Sequence, residues 1–114
     1  MKIKSSNLAD RALDWATTKA TGAHKSYLIP EEFAARQSEG KARYSTDWAL
    51  MGPIIESEKI SVAFHLVRKS WRWTAATTVG ASVSESGATA LIAAARCLCA
   101  SKLGDEIEIP DGLV

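Results

Sequence analysis

Between Ile60 and Val79 the apolar residues recur at every second position, and this constrains the fold more than any other feature of the chain. Ile60, Val62, Phe64 and Leu66 alternate with Ser61, Ala63 and His65, the pattern of a strand with one face buried. After the polar link Arg68-Lys69-Ser70 the alternation resumes with Trp71, Trp73, Ala75, Thr77 and Val79. Two such runs joined by a short link predict an antiparallel hairpin over about residues 60–79.

Helical spacing frames the hairpin. Leu8, Ala12, Trp15, Ala16 and Ala20 fall on one helical face, with Asn7 as N-cap, Asp10 in the first turn and Gly22 as the stop. This predicts a first helix over about residues 7–21. A second, over about 89–103, begins at a Thr89 cap and carries Leu91, Ile92, Ala95, Leu98, Cys99 and Leu103. Its many alanines suit close packing on a sheet, and Gly104 ends it. Gly80 to Gly87 reads as a small polar connection. Short strands are expected at Ile3 and at Ile107–Ile109.

The middle of the chain is less regular. Tyr27-Leu28-Ile29 suits a short strand or a packed loop. Pro30-Glu31-Glu32 opens one or two helical turns that carry Phe33 and Ala34 inward. Ser45 or Thr46 can cap a short helix that Gly52-Pro53 interrupts or ends, with Ile54 and Ile55 as buried anchors. The fold class is therefore α+β: a small, mostly antiparallel sheet, with short strands near both termini, packed by two main helices. At 114 residues the chain is expected to form a single domain, 1–114.

Composition narrows the partners. The formal net charge is +1 and the pI about 7.8, without the basic surplus of a dedicated duplex binder, so nucleic acid is disfavoured. The opening Met1-Lys2-Ile3-Lys4-Ser5 leads into an amphipathic stretch unlike a signal peptide, and no apolar run approaches the length of a membrane span. Cys97 and Cys99 point about 200° apart on a helix, so they can neither bridge each other nor share a metal, and read as reduced core residues.

Chemistry-bearing motifs are sparse. Glycine-rich phosphate loops, HExxH, CxxC and GxSxG are all missing, and His24 and His65 belong to no paired motif. The expectation is a protein without catalytic residues, metal or cofactor. Two segments carry candidate binding residues. Tyr44, Ser45, Thr46, Asp47 and Trp48 gather rings, hydroxyls and a carboxylate at a helix start, where free amides could meet a ligand. The same residues also read as a capping turn with Trp48 buried as an anchor. Trp71, Arg72 and Trp73 follow Arg68 and Lys69; alternation sets the tryptophans on one face and Arg72 on the other. Arginine beside aromatic rings grips bases and phosphates, and such rings equally fill a core.

These blocks carry a resemblance. Asp14-Trp15-Ala16, Ser45-Thr46-Asp47-Trp48-Ala49 and Gly52-Pro53-Ile54-Ile55-Glu56 resemble a phage NinX-like family. Leu91-Ile92-Ala93-Ala94, Arg96 and Ala100-Ser101-Lys102-Leu103-Gly104-Asp105-Glu106 extend it over nearly the whole chain. Gly87-Ala88-Thr89-Ala90 departs from the pattern, which has a proline-containing helix start at this point. The resemblance implies a small accessory protein of tailed phages or prophages, made in the bacterial host cytoplasm, and supplies no reaction.

Four functions are compatible with these residues. The first is a phage accessory protein that binds a small, nucleotide-like ligand at the Tyr44–Trp48 turn. The alternative is a protein–protein adaptor or inhibitor of a host enzyme that uses exposed aromatics as anchors. Behind them stand an enzyme with Asp47 as base and Arg72 or Arg96 as charge stabiliser, and a nucleic-acid factor using Arg68, Lys69 and Arg72. A homodimer is compatible with the sequence, though no heptad or long edge strand demands one.

Overall fold

The computed structural model describes residues 1–77 and 82–113. In chain order the elements are β1 (Lys2–Lys4), α1 (Asp10–Ala20), α2 (Pro30–Ser38), α3 (Trp48–Ser57), β2 (Ser61–Val67), β3 (Ser70–Thr77), β4 (Val83–Gly87), α4 (Ala90–Leu103) and β5 (Glu106–Glu108). The α+β class holds. The hairpin is β2 and β3, paired antiparallel from Ser61↔Ala76 to Val67↔Ser70. Val79, Gly80 and Ala81 of the sequence reading lie outside the described residues.

The sheet differs from expectation in two respects. The terminal strands β1 and β5 form an antiparallel pair of their own, and the hairpin carries a third strand, β4, in a second sheet ordered β2-β3-β4. Val83–Gly87 was read as a connection because its inward positions are not all apolar. Val83, Glu85 and Gly87 face α4: Glu85 is half-buried near Arg96, and Gly87 is buried. A β-carbon on Gly87 would sit 2.7 Å from Ile92 Cγ2 and 2.9 Å from the Ala93 amide nitrogen. Glycine is what lets β4 lie this close to α4.

α4 runs through the middle of the molecule, with the three-stranded sheet on one side and α1 on the other. It was expected to bury one broad face. Instead nine of its residues are buried, as in a helix that is apolar all round. Its two cysteines do point opposite ways: Cys97 Sγ lies 3.9 Å from the Val83 carbonyl oxygen of β4, and Cys99 Sγ 3.6 Å from Thr17 Oγ1 of α1. Both thiols are free. Thr89 caps α4 as read, accepting the Ile92 N–H at 3.1 Å, so the helix starts without a proline.

Two helix boundaries moved. Asn7 belongs to a 3₁₀ turn, Ser5–Asn7, and α1 starts at Asp10 with Ala9 at the cap position. Gly52-Pro53 neither interrupts nor ends α3, which continues to Ser57. A proline clashes with the β-carbon of a preceding helical residue, and Gly52 has none. Tyr27-Leu28 falls in a 3₁₀ turn, Lys25–Leu28; Pro30 opens α2, whose Phe33 is fully buried.

Candidate functional site

Residues Tyr44–Trp48 are fixed from beneath by a carboxylate. Asp14 of α1, itself buried, accepts the Ser45 N–H on Oδ1 at 2.8 Å and the Gln37 side-chain amide on Oδ2 at 2.7 Å. Burial raises the Asp14 pKa from its ordinary value, against the pull of Ser45, Gln37 and Arg43 toward the charged form. Ser45 is buried. Asp47 caps α3, accepting the Ala49 N–H on Oδ1 at 2.9 Å, and Thr46 Oγ1 reaches the Arg43 carbonyl at 3.5 Å. The cap is thus Asp47, where Ser45 or Thr46 was expected. Tyr44 is half-buried against the core. Trp48, read as a possible buried anchor, is 58% exposed, because it occupies the first helical position and its side chain faces solvent.

The hairpin presents a different surface. Trp71 and Trp73 share one face and Arg72 the other, as the alternation required. Leu66 pairs with Trp71 and Phe64 with Trp73 across the strands. The Phe64 ring stacks on Trp71 with centroids 5.5 Å apart and meets Trp73 at 5.1 Å. The sequence left open whether this face fills the core or meets a ligand. Beneath α4 it is buried: Ala75 is 1% exposed and Ile60 7%. Nearer the turn the hairpin outruns the helix, leaving Phe64 52%, Leu66 56% and Trp71 64% exposed.

On the opposite face Arg72 stands across from His65, and its Nη1 lies 3.4 Å from Ser86 Oγ. A shallow depression there is lined by His65, Val67, Thr74, Ala76, Ser84, Glu85 and Ser86. The turn places Arg68 and Lys69 at φ 47° and 70°, a left-handed pair that long side chains seldom adopt. Among the described residues no hydrogen bond or ring contact joins the hairpin face to the Tyr44–Trp48 turn. The two candidate segments are separate features. Sequence reasoning missed Phe64 and Leu66 as surface residues, took Ser70 into the link where it pairs with Val67 instead, and missed Asp14 as the support of the turn.

A family model described as bacteriophage P22 NinX matches residues 4–102. The chain belongs to the NinX family. Comparison with curated proteins gives no match. The matched span includes all of the three-stranded sheet, Asp14 and the Tyr44–Trp48 turn.

Within this NinX-family chain the quoted blocks act as structural ties. Asp14 holds Ser45, and Trp15 Nε1 donates to the Leu28 carbonyl at 2.8 Å. Arg96 of α4 donates from Nε to the Leu8 carbonyl at 2.8 Å and from Nη1 to the Ser86 carbonyl at 2.9 Å, joining the start of α1 to β4. Burial lowers its pKa, and Glu85 counters that shift. Asp47 and Arg96, weighed above as base and charge stabiliser, are thus engaged in capping and in backbone ties. Among the described residues no three histidine, cysteine or carboxylate groups gather to hold a metal, and no helix is long and apolar enough to cross a membrane.

Proposed function

We propose that this NinX-family protein is a phage accessory factor that acts by binding a protein partner through the apolar face of β2 and β3. The observation that carries the reading is the exposed cluster of Phe64, Leu66 and Trp71. With large side chains offering about 150–250 Å² each, their exposure amounts to roughly 350 Å² of apolar surface. A patch of that size is in the range of the largest apolar patch on a monomeric protein, which is often a functional surface. Tryptophan is among the residues enriched at interface hot spots. Affinity capture from phage-infected cells tests the reading. The same partner should be recovered with the native chain and lost with Trp71→Ala and Phe64→Ala. Equal recovery by native and variant proteins overturns it.

A small, nucleotide-like ligand at Tyr44 and Trp48 is the second reading, favoured by the exposure of Trp48. It ranks behind because the Asp47 carboxylate already occupies the helix start, where a phosphate would otherwise be drawn. A ligand at a hundred times its Kd adds about 2.7 kcal/mol. A thermal-melt panel of nucleotides that stays flat removes this reading.

A further inference from the structure

The three-stranded sheet ends at β2, whose outer edge pairs with no other strand among the described residues. The two-residue turn Arg68-Lys69 makes Val67↔Ser70 a hydrogen-bonded closing pair. Val67, His65, Ala63 and Ser61 therefore bond toward β3, and the backbone N–H and C=O groups of Leu66, Phe64 and Val62 face the open edge. These are the residues whose side chains extend the exposed apolar face. An unpaired backbone edge thus runs beside an unpaired apolar surface.

Charge is polarised in the same place. Residues 59–84 contain Lys59, Arg68, Lys69 and Arg72 and no carboxylate, while the rest of the chain carries ten cations against thirteen carboxylates. Lys59 lies just before β2, and Arg68 and Lys69 just after it. The edge is bracketed by positive charge at both ends.

We propose, on the reading that the hairpin is the contact surface, that the partner contributes an extended acidic segment which adds to β2 as a fourth strand. Its alternate apolar side chains continue the Phe64–Leu66 face, and its carboxylates flank them to meet Lys59 and the Arg68-Lys69 turn. Backbone pairing supplies affinity and the alternate side chains supply specificity, as in other strand additions. A second copy of this chain fits worse. Pairing β2 with itself about Phe64 sets Lys59 opposite Lys69 of the other copy, like charge against like at both ends. Single-stranded nucleic acid also fits worse, because it needs free ring faces, and here the Phe64 ring packs between Trp71 and Trp73.

The test is selection from a random twelve-residue peptide library on the full chain, followed by anisotropy titration of a selected peptide. Enriched sequences should alternate apolar residues over about five positions and carry acidic residues at the flanks. Arg68→Glu with Lys69→Glu should weaken that peptide at least about tenfold. Methylating the peptide amides that face β2 should abolish binding, while methylating the alternate set should not. Failure to enrich this pattern overturns the proposal, as does indifference to which amides are methylated. If that indifference coincides with loss of binding in Trp71→Ala, strand addition falls and the contact surface survives. If Trp71→Ala binds as tightly as the native chain, the contact surface falls too. Tighter binding of an oligo-thymidylate, or a dimer in sedimentation that Phe64→Asp dissociates, would replace the acidic peptide with nucleic acid or a second copy.

Discussion

Removing the Asp14 carboxylate should cost far more than removing the hydroxyl of the serine it holds. In Asp14→Ala the Ser45 N–H and the Gln37 side-chain amide both lose their acceptor on Asp14, the first in a buried site and the second in a partly buried one. A donor stranded away from water costs about 1–3 kcal/mol, so the pair should cost about 3 kcal/mol. For a chain of this size that is a fall in Tm of roughly 12 °C. Ser45→Ala keeps the backbone donor and should cost about 1 kcal/mol. Asp14→Asn isolates the charge. Burial raises the Asp14 pKa from 3.8, so the folded chain holds that proton more tightly than the unfolded one. The group's contribution is then fully present below pH 3.8 and is lost as the pH rises through its higher folded value. The native chain should therefore lose stability relative to Asp14→Asn over that window and run parallel to it above. Urea melts of the four proteins between pH 3 and pH 8 measure all of this. A cost for Asp14→Ala no larger than for Ser45→Ala refutes the claim that Asp14 supports the turn, and a difference of the opposite slope refutes the claim that burial outweighs the Ser45 and Gln37 hydrogen bonds.

Three other outcomes follow from the packing. Gly87→Ala should lose about 1–3 kcal/mol in denaturant melts, because the new methyl meets the Ala93 backbone as well as the movable Ile92 side chain. Replacing the turn by Asn-Gly (Arg68→Asn with Lys69→Gly) should stabilise by about 1–2 kcal/mol, since two residues leave left-handed strain. The same change should weaken the selected acidic peptide. Burial pushes the Cys97 thiol up to about 11 and the Cys99 thiol up to about 12. Iodoacetamide at pH 8 should leave both unmodified in the folded chain and alkylate both in guanidinium, as read by intact mass.

The existence of the hairpin, the Thr89 cap, the buried Phe33 and the opposite facing of Cys97 and Cys99 were all legible in the sequence. Each depends on local periodicity or on hydrogen bonds within a few residues. The identity of β4 was not legible, because Glu85 and Gly87 take inward positions only when Arg96 and Ile92 of α4 are there to meet them. Periodicity marked Phe64 and Leu66 as one face of the first strand and Trp71 and Trp73 as one face of the second, but it could not say how far α4 reaches along them. Nor could it join Asp14 to Ser45, thirty-one residues away, since that bond exists only once α1 and the turn before α3 are packed together. The sequence by itself determined which residues share a face. The tertiary structure alone decided which of those faces is covered, because burial depends on where a distant helix ends.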